Sequence, residues 1–150
     1  MSLEKWTEYG WLKAEPTSRE EIRGLLEIVS RDLRDAHFTQ ISEDRRFEAA
    51  FNAARTAANI ALRASGYRAV MQLGHHLKTI ESMEFTIEAD PKLIQKLRVF
   101  SKKRNATSYD FAGNVSNEEM EQMIKVAAEL QLAVSAWLRR NHSHLTGDPQ

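Results

Sequence analysis

The densest chemical feature of the chain is a run of six cations, Lys92, Lys96, Arg98, Lys102, Lys103 and Arg104, with no acid between Pro91 and Asn105. On a helix, Lys92, Lys96 and Lys103 share a side. Such a run can neutralise the phosphates of a nucleic acid. It can equally be a solvated face, favoured by cations near a helix C-terminus. The run leads into Arg104-Asn105-Ala106-Thr107-Ser108-Tyr109-Asp110. Arg104 offers a planar fork of donors suited to phosphate, and Asn105 can both donate and accept. The plainer alternative is a loop anchored by Asn105, with Arg104 paired to Asp110. His75-His76 follows Gly74. Neighbours on a helix point about 100° apart, so one of the two imidazoles is expected to face inward. His142 and His144, two apart near the C-terminus, read as solvated residues rather than metal ligands.

Other chemistries lack their residues. There is no cysteine, which excludes disulfides, thiolate metal sites and cysteine nucleophiles. The sequence has no Gly-rich phosphate loop and no Gly-x-Ser-x-Gly elbow. It has no pair of histidines at i, i+4 and no Glu three before a His in the di-iron arrangement. No cofactor or metal is expected. Lys+Arg and Asp+Glu are both 21, so any nucleic-acid contact must be local rather than a property of the whole surface. The N-terminus carries no apolar signal core, and no apolar run approaches the length of a membrane span. A cytoplasmic protein is the expectation.

The elements that must position these residues read as helices in a single domain covering residues 1–150. With 150 residues, 6 Gly and 3 Pro, breakers are few and periodic stretches long. Ser18 and Glu21 have capping-box spacing ahead of Ile22, Leu25, Leu26, Val29, Leu33 and Ala36, which fall on one face. A second helix is predicted from Ser42 to Ala64, Ala-rich and stopped by Gly66. Its small residues read as a tight core helix, with an oligomer seam as the lesser alternative. A third helical region is predicted from Tyr67 to Met83, with Val70, Leu73, Leu77 and Ile80 on a stripe. Asp90 and Pro91 open the next helix, which is expected to fray near Arg104 and give way to a loop from Asn105 to Val115. Ser116 and Glu119 cap the last helix. Met120, Ala127 and Val134, with Met123, Leu130 and Trp137, form its two seven-residue series. Residues 1–15 are read as an arm or short helix laid across one end, and residues 141–150 as a loose tail. The expected architecture is all-α, an antiparallel bundle of four or five helices, with no sheet beyond a stray bridge.

Arg104-Asn105 shortly before the last bundle helix resembles the signature of the HEPN superfamily. These are small all-α bundles, commonly dimeric, and many are metal-independent ribonucleases. The resemblance extends through Pro16-Thr17-Ser18, Leu25-Leu26, Arg31-Asp32-Leu33-Arg34-Asp35-Ala36, Arg46-Phe47 and Ala50-Phe51-Asn52-Ala53-Ala54. It continues through Ala64-Ser65-Gly66-Tyr67-Arg68, His75-His76, Ile80-Glu81-Ser82-Met83 and Lys102-Lys103-Arg104-Asn105. It implies that Arg104 and Asn105 hold a phosphate, with Lys102, Lys103, Lys96 and His75 as supporting contacts. In the family a His a few positions after the Arg assists proton transfer; here the corresponding residue is Tyr109. A phenol, with a pKa of ~10, is a poor proton shuttle at neutral pH, though it can bond a phosphate or stack on a base. His76 is the candidate replacement imidazole. The resemblance also implies a homodimer, RNA or nucleotide binding in a toxin–antitoxin or defence setting, and a nucleotidyltransferase-type antitoxin as partner. A non-catalytic dimerisation or interaction module is the rival reading.

Overall fold

The computed structural model describes residues 1–109 and 113–146, except for the side chains of residues 107–109. Six α-helices and one two-stranded sheet lie among the described residues. In chain order they are α1 (Leu3–Glu8), β1 (Leu12–Ala14), α2 (Arg19–Ala36), α3 (Glu43–Ala64), β2 (Tyr67–Ala69), α4 (His75–Glu81), α5 (Pro91–Tyr109) and α6 (Asn117–Asn141). Short 3-10 turns follow α4 and α6. The protein is mostly helical, and the four long helices build the main core.

Side-chain caps start these helices. Ser18, Ser42 and Ser116 accept from the backbone N–H of Glu21, Arg45 and Glu119. Only Ser116–Glu119 closes a reciprocal box. Glu21 does not turn back to Ser18, because Thr17 and Arg63 both donate to its carboxylate. Asp90 caps α5 through the Lys92 N–H at 2.8 Å.

α3 is the central element. Its alanines, Ala50, Ala53, Ala54, Ala57, Ala58 and Ala61, are buried, so α2 and α6 can pack closely on either side of it. The Ala-rich stretch is therefore core. Two ties fix the direction of α2 against α3. Arg46, at the start of α3, donates to the Ala36 carbonyl at the end of α2, and Arg63 reaches Glu21 at the start of α2. α6 begins at the same end as α3, because Asp44 accepts from the Gly113 and Val115 N–H groups. α6 therefore runs in the same direction as α3 and opposite to α2. The α6 seam holds Met120, Met123, Ala127, Leu130 and Val134 as read from the sequence, but Trp137 is only partly buried and Leu138 takes the inner position. Trp137 lies instead against the His142 ring, at 4.9 Å.

Two segments depart from the sequence expectation. The stretch from Tyr67 to Met83 is not one helix. Gly66, at φ +94°, turns the chain out of α3, and Tyr67–Ala69 then pairs antiparallel with Leu12–Ala14. The sheet is small but more than a bridge. Arg63 pins its entry, donating to the carbonyls of Glu15, Pro16 and Tyr67. Leu73, expected on a buried stripe, is fully exposed. α5 also runs on past Arg104 to Tyr109, where a loop was expected. Ala106 favours helix, and neither Gly nor Pro interrupts the chain before Gly113.

The N-terminal segment builds a second core. Leu3, Trp6, Leu12, Leu62 and Ala69 are buried together, with Trp11 and Phe85 packed against them. Trp6 meets Trp11 and Phe85 edge-on at 5.5 and 5.2 Å. The Lys78 ammonium sits 3.7 Å from the Trp11 ring. These aromatics are thus engaged within one chain rather than left over for a partner. No helix among the described residues is long and apolar enough to cross a membrane.

Candidate functional site

α4 stands between two clefts. One, of about 570 Å³, lies against α5 and is lined by Phe51, Leu73, Val99, Lys102, Arg104 and Asn105. The other, of about 340 Å³, lies on the far side against α3 and β2 and is lined by Arg55, Asn59, Arg68 and Thr79. His75 and His76 line both clefts. Their rings are 3.9 Å apart, and His75 Nδ1 is 2.9 Å from the Gln72 carbonyl.

Arg104 projects from α5 towards α3, its guanidinium 5.9 Å from the centre of the Phe51 ring. Its Nε is buried without a hydrogen-bond partner among the described residues. Its one weak contact is to its own neighbour, the Asn105 Oδ1, at 3.5 Å. Arg55 lies one turn beyond Phe51 on α3, so the two share a face. It is half-buried and makes no hydrogen bond or ion pair among the described residues. Burial first, then the charge of Arg104, hold its pKa below the usual arginine value, while Asp32 works in the opposite direction. That carboxylate is already taken by Arg31, at 3.0 Å.

His76 feels the same surroundings. Partial desolvation, then the charges of Arg55, His75 and Arg104, lower its pKa to about 4. At neutral pH the site therefore holds two guanidinium groups without ion pairs among the described residues, and a neutral imidazole. An anion bound here would offset the cations and raise the basicity of the imidazole towards that of a useful proton acceptor.

The structure sorts the sequence candidates. Arg104, Asn105, Lys102, His75 and His76 come together at the α5-side cleft. Lys103 does not: it pairs with Glu119 of α6 at 3.2 Å. Lys96 is exposed outside both clefts. Arg98, counted in the basic run, pairs with Glu81 at 2.8 Å. The run is thus partly compensated. The Tyr109 side chain and all of Asp110 lie outside the described residues, so the expected Tyr109 contact and the alternative pairing of Arg104 with Asp110 lie there too. Arg55 was missed. Its signal was a lone cation within Ala53-Ala54-Arg55-Thr56-Ala57-Ala58, with no acid at i±3 or i±4 to pair with it. Among the described residues, no group of three or more His, Asp or Glu could hold a metal ion. Compared with known proteins, the chain matches no family model, no curated protein and no solved structure.

Proposed function

We propose that the protein is an HEPN-like domain that binds RNA or a nucleotide through phosphate. Arg104 holds the phosphate, Asn105 orients it and Lys102 adds local charge. The observation that supports this most directly is the part-buried Arg104 guanidinium, without an ion pair among the described residues, beside a cleft that also presents a neutral imidazole. An unpaired buried cation is costly in the free protein and is relieved when an anion binds.

The same geometry supports metal-independent endoribonuclease chemistry. His76 takes the proton of a ribose 2′-hydroxyl as that oxygen attacks the adjacent phosphorus. The bond to the 5′-oxygen of the next nucleotide breaks, and that oxygen takes a proton back from the imidazolium. The product on the 5′ side ends in a 2′,3′-cyclic phosphate. Arg104 stabilises the charge on the phosphoryl oxygens as the bonds exchange. The test is single-stranded RNA incubated with the protein in chelator. Cyclic-phosphate ends that disappear in Arg104→Ala and in His76→Ala support the reading. RNA that neither binds nor breaks, with both variants folded, would overturn it in favour of the dimerisation or interaction module.

The proposal includes a homodimer and, as partner, a nucleotidyltransferase-type antitoxin in a toxin–antitoxin or defence setting. Exposed Met71, Leu73 and Val99 beside the clefts support the dimer, now that Trp6, Trp11 and Phe85 are accounted for within the chain. Light scattering on Leu73→Asp, giving half the wild-type mass, is the expected outcome.

A further inference from the structure

Arg55 belongs to no motif in the sequence, yet it is the cation whose placement most needs an explanation. It sits half-buried in the wall of the cleft behind α4, without a hydrogen bond or ion pair among the described residues. Removing a charge from water without a partner is unfavourable. Here a second cation without an ion pair among the described residues, Arg104, faces the same region from α5, near the ring of Phe51, one turn from Arg55. The carboxylates nearby relieve them only in part: Asp32 offsets some of the cost to Arg55 but makes no ion pair with it. Asp32 is bonded to Arg31, and Glu21, in the same cleft wall, is held by Arg63 at 2.9 Å. Two guanidinium groups that repel each other and make no ion pair with an acid among the described residues are suited to a shared anion. His75 and His76 line both clefts, which lie one on each side of α4.

We infer that Arg55 and Arg104 close on a single phosphate from opposite sides, so that the ligand is an internal phosphodiester whose chain continues into both clefts. This rests on the phosphate-binding reading of Arg104 and narrows it. A terminal phosphate occupies one cleft and leaves the other empty. A phosphate within a strand places one neighbouring nucleotide against Phe51, Leu73 and Val99, and the other towards Asn59 and Arg68. The apolar wall of the first cleft suits a stacked base. The second is smaller and more polar, and it suits a sugar.

The experiment compares a six-residue oligoadenylate RNA, adenosine monophosphate and inorganic phosphate, each titrated onto wild type, Arg55→Gln, Arg104→Gln and the double variant. The hexamer is expected to bind at least tenfold tighter than the mononucleotide. Each single substitution should weaken hexamer binding about tenfold to a hundredfold, the range for a lost charge-assisted hydrogen bond. Because both residues hold one phosphate, the double variant should be far less impaired than the product of the two losses. Without ligand, Arg55→Gln should melt about 2–4 °C higher than wild type, because an unpaired cation has been removed. Hexamer binding unchanged in Arg55→Gln but lost in Arg104→Gln overturns this inference and leaves RNA binding standing. Equal affinity for the mononucleotide and hexamer overturns the internal phosphodiester and leaves a nucleotide site. A lower melting temperature in Arg55→Gln shows the residue to be structural and overturns the clamp. Wild type that binds none of the three probes removes the phosphate reading itself, and the clamp with it.

Discussion

A neutral imidazole beside two guanidinium groups has a basicity set by what lies between them. His76 faces Arg55 from α3, Arg104 from α5 and His75 on its own helix, with Glu21 in the same cleft wall already engaged by Arg63. Partial burial first, then Arg55, His75 and Arg104, disfavour its protonated form. The sign of the consequence follows from linkage. The unfolded chain protonates this ring near 6.5 and the folded chain only at about 4. Between those values the unfolded state binds more protons, so stability falls as pH drops through that window and levels off below it. His142 is shifted the same way, by burial and then by His144, so the His76 contribution must be read by difference. Melting temperatures from pH 7 to pH 4 should fall less steeply in His76→Gln than in wild type. An oligoribonucleotide should raise the His76 pKa measured by NMR, because a bound anion offsets both cations. An imidazole that titrates near 6.5 with and without RNA would break the electrostatic argument. Arg104 and the histidines were legible in the sequence by type and by motif. Arg55 was not, because its meaning comes from Arg104, which is distant in sequence and brought close only by the packing of α3 and α5.

Elements whose pattern repeats over several turns could be read, and elements defined by a few residues could not. The stripes and caps of α2, α3 and α6 each extend over many turns, so local signals and burial agree. β1 and β2 are three residues each, too short for alternation to register, and Tyr67–Ala69 falls within a stretch that also satisfies a helical period. The end of α5 was misplaced because a cluster of polar residues around Asn105 resembles a loop when its helix propensity is ignored. The two cores make distinct predictions. Leu130, on the α6 seam, is almost wholly buried in the main core, and Leu130→Ala should cost about 2–5 kcal/mol in chemical denaturation. Trp6 is 5% exposed in the N-terminal core, and Trp6→Ala should cost about 3–5 kcal/mol. It should also weaken RNA binding without touching the site, because Trp6 and Trp11 hold Lys78 of α4, the helix that carries His75 and His76. A Trp6→Ala protein with full RNA affinity would show that α4 is positioned without the N-terminal core.

At the scale of the whole molecule the charges cancel, with 21 cations against 21 anions. Long-range attraction to a polyanion is therefore weak, and binding depends on the few cations that remain unpaired at the clefts. This gives a countable expectation. For a single strand, the logarithm of affinity falls with the logarithm of salt by about 0.7 for each phosphate neutralised. Of the cations near the site, Arg98 and Lys103 are bound to Glu81 and Glu119, and Lys96 lies outside the clefts. Arg55 and Arg104, which share one phosphate, and Lys102, which meets another, remain, which sets the slope at about −1.4. Lys102→Ala should flatten it to about −0.7. Lys103→Ala and Lys96→Ala should leave it unchanged, although the sequence alone places all three lysines in one basic run. Fluorescence anisotropy of a labelled single-stranded RNA between low and physiological salt measures each slope directly. A slope near −4 that falls with Lys96→Ala and Lys103→Ala would move the RNA off the clefts and onto the outer face of α5. A slope near zero would mean that phosphate is not what the site holds, and that the unpaired guanidinium groups serve an uncharged ligand or the contact between two chains.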